Sequence, residues 1–339
     1  MAALFAVALA LPAAAPAAQV ETLRPGLPVE TLAREGGIGR GIAEPAGSVT
    51  LTAPDGSRHR LVRNASGDLA FVAADPQPAS GAPPADLLPD SLVTRGAENI
   101  RRAWLVAPTD RYDHGILGDA VEGGGLALQR FDGKVFRYLT DSGSVFEDRL
   151  VRLADLDRDG WDEAVVVQSY LDKGAALAVF ALGPDSVRFV SEVPPIGTPH
   201  RWLNPAGAAD YDGDGVIELA FVETPHIGGT LRLYAFAERR LVADHAVAGF
   251  SNHAIGARIQ DMAATLDWDG DGVPDIAVPD GQRRSLRVMG FAGGEPRELV
   301  RIPHPAPIVS AVLPARLGED GAVAIVYGLA DGTLVVVRP

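Results

Sequence analysis

No cysteine occurs in the 339 residues, which excludes disulfides, thiolate metal sites and cysteine nucleophiles and leaves the redox compartment open. Lysine stands only at Lys134 and Lys173, so arginine carries almost all of the positive charge. Basic residues are outnumbered overall: the formal net charge is −14, and without a basic surface to neutralise phosphates a nucleic-acid partner is argued against. The chain also lacks H-E-x-x-H, G-x-S-x-G and G-x-x-x-x-G-K signatures, so no familiar zinc-protease, serine-hydrolase or phosphate-loop chemistry is indicated. Long apolar runs are missing apart from the N-terminal "MAALFAVALALPAAAPAAQ". That run is too short to span a bilayer, and Ala15-Pro16-Ala17 offers a small-residue cleavage site, so residues 1–18 read as a secretory signal and the mature chain is expected in the periplasm or outside the cell. No Lys or Arg precedes its apolar core, and no lipobox cysteine follows it, which excludes a lipoprotein anchor.

The remaining composition, 47% hydrophobic and 22% charged, is that of a globular chain. Its clearest internal pattern is acidic. "DLDRDGWDE" at 155–163 is followed by "DYDGDGVIE" at 210–218 and "DWDGDGVPD" at 267–275, at intervals of 55 and 57 residues. Each loop is followed by a short apolar run, "EAVVVQSY", "ELAFVET" or "DIAVPD", and then by two more runs of strand length. Ahead of each lies one further candidate strand, "RLVRLAD", "NPAGAAD" or "DMAATLD". Four strands per period, with the acidic loop between the first and second, predict the blades of an all-β propeller. Small residues in the leading strand suit the crowded channel-facing position, although general Ala/Gly bias accounts for them equally well. Residues 101–148 and the C-terminal "VSAVLPARLGEDGAVAIVYGLADGTLVVVRP" extend the period with degenerate loops; the first has Asp110, Asp113 and Asp119 at a different spacing, and the second stops one strand short. In residues 19–100, "SVTLTAP", "SRHRLVR" and "DLAFVAA" read as strands, the first two as a hairpin around Asp55-Gly56. One of them is expected to complete the last blade and close the ring, which removes an exposed edge. The total is about six blades over residues 101–339 and the N-terminal strands, with five or seven also compatible.

Like charges at this density need a counter-charge. Carboxylates fall at positions 1, 3, 5 and 9 of each loop: Asp155, Asp157, Asp159 and Glu163; Asp210, Asp212, Asp214 and Glu218; Asp267, Asp269, Asp271 and Asp275. Position 6 is always glycine, which a sharp turn at positive φ favours. The backbone carbonyls of Trp161, Val216 and Val273 at position 7 add a further oxygen. An all-oxygen set of this kind suits Ca²⁺, with Mg²⁺ second and zinc disfavoured for want of His or Cys. EF-hand loops need an acid at position 12, where this chain has Val166, Phe221 and Val278.

The D-x-D-x-D-G-x-x-[DE] loop between two strands, repeated at this period, resembles the FG-GAP/VCBS repeat of integrin α-chain propellers and of many exported bacterial proteins. The resemblance covers about residues 150–305, while the FG and GAP elements themselves are poorly kept ("AGF" at 248–250, "LGP" at 182–184). It implies that the twelve carboxylates hold about three Ca²⁺ ions, which would brace the blades and offset part of the negative charge.

The connections on the opposite face carry His200, Arg201, Trp202 and Asn204; Asn252, His253 and Arg258; and His304, with Arg111, Tyr112 and His114 in a similar stretch. They form a candidate ligand face, or else are turn residues packing against neighbouring blades. The expected function is a calcium-binding β-propeller serving as a binding or interaction module for a protein or glycan ligand. The alternative is a secreted hydrolase or lyase acting on polysaccharide or phosphoester from the His-rich face; a structural component of an envelope assembly is the third class.

Overall fold

The computed structural model describes residues 18–35, 46–75, 82–318 and 322–339; residues 1–17 of the expected signal segment lie outside them. Among the described residues every regular element is a strand except the single 3-10 turn Val29–Thr31. Among the described residues no helix is long and apolar enough to cross a membrane.

The strands assemble in sequential groups of four. Blade 1 is Ala33–Arg34, Val49–Thr52, Arg58–Arg63 and Leu69–Ala73. Blade 2 is Thr94–Arg95, Ile100–Thr109, Glu122–Arg130 and Val135–Leu139, and blade 3 is Arg152–Ala154, Glu163–Tyr170, Gly174–Leu182 and Val187–Glu192. The short strand Ser144–Phe146 pairs with both, joining them into one sheet. Blade 4 is Leu203–Ala209, Glu218–Glu223, Thr230–Ala237 and Arg240–Ala248, and blade 5 is Ala264–Leu266, Asp275–Pro279, Ser285–Gly290 and Arg297–Pro303. Blade 6 takes Leu313–Arg316, Val323–Gly328 and Leu334–Arg338 from the C-terminus and its outer strand, Gln19–Leu23, from the N-terminus. The fold is a β-propeller of six such units among the described residues.

Two expectations are corrected here. The strand that completes the C-terminal blade is Gln19–Leu23, paired antiparallel from Gln19–Arg338 to Leu23–Leu334; the hairpin around Asp55-Gly56 and the strand after it build blade 1 instead. The stretch 110–121, read above as a degenerate acidic loop, joins the second and third strands of blade 2, and the first-to-second turn of that blade is only residues 96–99. Sequence spacing misled because the first strand of blade 2 is just two residues long and carries no apolar run.

Packing is between blades as much as within them. Hydrophobic clusters join blades 2 and 3 (Leu105, Phe146, Phe180), 3 and 4 (Val167, Leu177, Phe221), 4 and 5 (Tyr211, Leu233, Ile276), 5 and 6 (Trp268, Val288, Ile325) and 6 and 1 (Val336, Val49, Leu51). Full burial of one such side chain contributes about 1.5–3 kcal/mol. Blades 1 and 2 share no such cluster among the described residues. The small residues of the leading strands are a packing requirement at Gly207, where a Cβ would lie 2.1 Å from the Tyr211 hydroxyl and 2.7 Å from Thr265 Oγ1 of the next blade.

Candidate metal loops and the opposite face

The three acidic loops sit at one end of the ring and fold alike because their own carboxylates cap their own backbone. Position 1 accepts from the amide of position 6: Gly160 to Asp155 (2.9 Å), Gly215 to Asp210 (3.0 Å) and Gly272 to Asp267 (3.0 Å). Position 5 accepts from position 7: Trp161 to Asp159 (2.8 Å), Val216 to Asp214 (2.7 Å) and Val273 to Asp271 (2.8 Å). Position 9, the first residue of the second strand, accepts from position 2: Leu156 to Glu163 (3.1 Å), Tyr211 to Glu218 (2.7 Å) and Trp268 to Asp275 (2.7 Å). The glycines at position 6 have φ of +88°, +97° and +89°. Position 4 is left-handed as well, as Gly213 (+80°), Gly270 (+78°) and, against steric preference, Arg158 (+59°), a conformation that costs a non-glycine residue about 1–2 kcal/mol.

These bonds leave oxygens over. Asp157 Oδ1, Asp210 Oδ1 and Asp269 Oδ1 are buried and have no hydrogen-bond partner among the described residues. Ligand oxygens of Asp155, Asp157 and Glu163, of Asp210, Asp212 and Glu218, and of Asp267, Asp269 and Asp271 lie within 4.8 Å of one another. Burial, reinforced by the neighbouring aspartates, pushes the ninth-position carboxyls up, Glu163 to about 7, Glu218 to about 8 and Asp275 to about 7. Converging carboxylates with spare buried oxygens fit a hard divalent cation. The carbonyls of Trp161, Val216 and Val273 belong to the same turns. Each loop also meets one arginine: Arg239 from blade 4 on Asp157 (2.8 Å), Arg158 of the first loop on Asp210 of the second (3.0 Å), and Arg297 on Asp269 (2.9 Å).

One group was not foreseen. Asp244 and His245, on the outer strand of blade 4, bring ligand atoms within 4.8 Å of each other and of Asp212. The ladder shifts there, pairing Leu233 with His245 and Tyr234 with Ala243, so that Asp244 is the extra residue of a bulge. The outer strands of blades 3 and 5 skip Val190 and Leu299 in the same way. A bulge re-aims a side chain, and its site cannot be read from residue order.

At the other end of the ring, the connections bring several of the candidate ligand-face residues together. His200 packs on Tyr112 and His114 with ring centroids 5.0 and 5.3 Å apart. Trp202 packs on His253 at 4.8 Å and donates its Nε1–H to the Glu147 carbonyl (3.0 Å). His253 in turn bonds His226 (3.0 Å) and the Ala257 carbonyl (2.9 Å); burial holds both imidazoles low, His226 at about 4 and His253 at about 3. Trp202 is 2% exposed and therefore part of the packing rather than the wall of an open pocket. Asn252 and Asn204 exchange bonds with each other's backbone carbonyls (3.1 and 3.0 Å). Arg201 reaches only the His200 carbonyl (3.3 Å), Arg258 pairs with Asp90 (3.0 Å), and Arg111 bonds the Ser144 carbonyl (3.0 Å). His304 stands apart, bonded to the Tyr327 hydroxyl of blade 6 (2.8 Å).

The acids at this end are absent from the sequence reading. Glu147 is buried between His114 Nδ1 (2.6 Å) and Ser169 Oγ (2.5 Å), and burial raises it. Asp148 is buried against Arg152 (2.6 Å) and also accepts from Val167 N, Arg149 N and Gln260 Nε2. Glu122 is 3% exposed, makes no side-chain hydrogen bond or ion pair among the described residues, and is pushed up to about 9 by burial and by Glu147. Nothing in "SVFEDRL" or "AVEGGG" marks these residues, because their shared burial arises from strands of two blades.

No protein-family model and no curated protein matches the chain. Among solved structures, the WD40 domain of Toxoplasma gondii coronin is similar over 96% of this chain and 87% of that one, at 11% identity and a TM-score of 0.43.

Proposed function

We propose that the chain is an exported binding module of the FG-GAP/VCBS type, with Ca²⁺ in its three acidic loops bracing blades 3, 4 and 5. The observation that supports this reading is the common hydrogen-bond pattern: in every loop the backbone amides are satisfied by one set of carboxylate oxygens, while a buried oxygen of Asp157, Asp210 or Asp269 is left over. An acidic turn without an ion has no reason to bury an unpaired carboxylate oxygen beside two other carboxylates. The cation supplies positive charge at the convergence of these oxygens. The protein's part is to hold the loop backbone, to keep Glu163, Glu218 and Asp275 at the strand starts, and to place one arginine against each outer aspartate. The connections at the ends of the ring then serve recognition, positioned by its sheets.

The test is thermal unfolding of the mature chain in EDTA and across a calcium titration, with magnesium as control. Calcium raises the midpoint in wild type and has no effect on a variant carrying Asp157→Ala, Asp212→Ala and Asp269→Ala. A flat response at millimolar calcium overturns the reading.

A further inference from the structure

The three acidic loops are near-copies in backbone and hydrogen bonding, yet only the first carries an aromatic residue at position 7, Trp161, where the others have Val216 and Val273. Of the four tryptophans, Trp104, Trp202 and Trp268 are buried while Trp161 is 57% exposed. It lines a cleft of about 400 Å³ with Phe189, Arg188, Arg239, Asn99, Asp159 and Glu163 among the other walls. Phe189 is exposed as well, its ring edge-on to Phe180 at 5.7 Å beneath it. Single exposed aromatics need no explanation, but two lining one cleft together with convergent polar groups make it a candidate binding site. Arg188 is exposed and has no acidic partner among the described residues, whereas Arg239 is held by Asp157.

The tryptophan is also held in place. Its own amide donates to Asp159 (2.8 Å), and Asn99 of blade 2 clamps the next residue through both the Asp162 amide (2.8 Å) and the Asp162 carbonyl (3.3 Å). The cleft therefore presents an indole on a fixed stretch of backbone, a second aromatic, an uncommitted guanidinium and carboxylate acceptors. Preorganised groups lose little entropy when a ligand arrives.

We infer that this cleft is a saccharide site for a short, carboxylate-bearing sugar, a hexuronate unit or disaccharide. The pyranose face lies against Trp161, the carboxylate takes the fork of Arg188, and ring hydroxyls donate to Asp159. A planar guanidinium without an acid partner matches a carboxylate bidentately. The size of the cleft is at the lower end of the roughly 300–1,000 Å³ of small-molecule pockets, which admits one or two rings. The net charge of −14 disfavours a long polyanion. The cleft shares Asp159, Glu163 and the Trp161 backbone with the first acidic loop, but the Trp161 indole, Phe189 and Arg188 that would select the sugar are outside the carboxylate set.

The experiment is calorimetric titration of the full chain with sodium D-glucuronate, and in parallel with methyl β-D-glucoside, sodium acetate and an N-acetyl-aspartyl amide, in calcium and again in EDTA. Glucuronate binds, the glucoside and acetate bind at least tenfold more weakly, and Trp161→Val or Arg188→Ala weakens glucuronate at least tenfold. Because valine occupies position 7 in the other two loops, Trp161→Val keeps the thermal response of the loops to calcium while losing the sugar, so failure of the cation reading and failure of this one are separate results. Absence of glucuronate binding at millimolar concentration, equal binding of the glucoside, tighter binding of the aspartyl amide, or binding indifferent to both substitutions would each overturn the proposal.

Discussion

The two ends of the ring bury carboxylates in opposite ways. At the histidine end, Asp148 faces Arg152 and three further donors, and Glu147 lies between His114 and Ser169. At the acidic end, three groups of converging carboxylates have one arginine each and keep buried oxygens unpaired. A buried charge is tolerable only with a partner. The first end finds its partners within the chain, and the second leaves oxygens unpaired that, on the function proposed above, a cation from solution would meet. Glu122 is the exception that sharpens the contrast, a carboxyl at the self-contained end that is kept neutral instead of paired.

Breaking the self-contained end should have the largest effect. Asp148→Ala leaves the Arg152 guanidinium buried and unpaired and is expected to cost about 3–5 kcal/mol, measured by denaturant unfolding, with the calcium response unchanged. Filling the acidic end should act in the other direction. If each loop holds its ion at ten times Kd, each adds about 1.4 kcal/mol by mass action, on the order of 4 kcal/mol for three. That increment appears in calcium, disappears in EDTA, and is absent from the triple aspartate variant.

Glu122 predicts a pH effect at the histidine end. Its folded pKa of about 9 lies above the usual carboxyl value of 4.5. The folded state thus holds a proton that the unfolded chain releases, so this group's contribution to stability is fully present below pH 4.5 and is lost as pH rises toward 9. By pH 7 the loss is roughly 3 kcal/mol. Glu122→Gln, measured across that range, should remove one group's share of the slope, leaving that of the other raised carboxyls, and be more stable than wild type at pH 7; an unchanged slope would show that the carboxyl is not kept neutral. The smallest effect is expected at Arg158→Gly. Relief of the left-handed backbone (about 1–2 kcal/mol) is offset by loss of an exposed ion pair worth about 0–1 kcal/mol, so the unfolding midpoint in EDTA should rise by under about 2 °C.

Much of the acidic end was legible in the chain because its logic is local. Asp155 and Gly160, or Asp267 and Gly272, meet within one turn, so their spacing already states the geometry. The same holds for the four-strand period, since each strand pairs with its sequence neighbour. The errors arose where partners are distant or elements are short. Gln19–Leu23 finds Leu334–Arg338 across the whole chain, and the two-residue strand Thr94–Arg95 shifted the reading of 110–121 by one connection. At the ligand face Trp202 is packed away, while the exposed tryptophan is Trp161 at the other end, whose place in its loop points only to a backbone carbonyl.

By itself, then, the sequence determined the all-β repeat, the loops and their carboxylate positions, because hydrogen bonds and turns within nine residues depend on residue order alone. Only the tertiary structure decided which strand completes blade 6, which carboxyls share a buried site, that a bulge carries Asp244 to Asp212, and that Trp161 stands beside Phe189 and Arg188. Those outcomes depend on which blades pack together and how their ladders slip, and burial is a property of the assembled ring rather than of any segment in it.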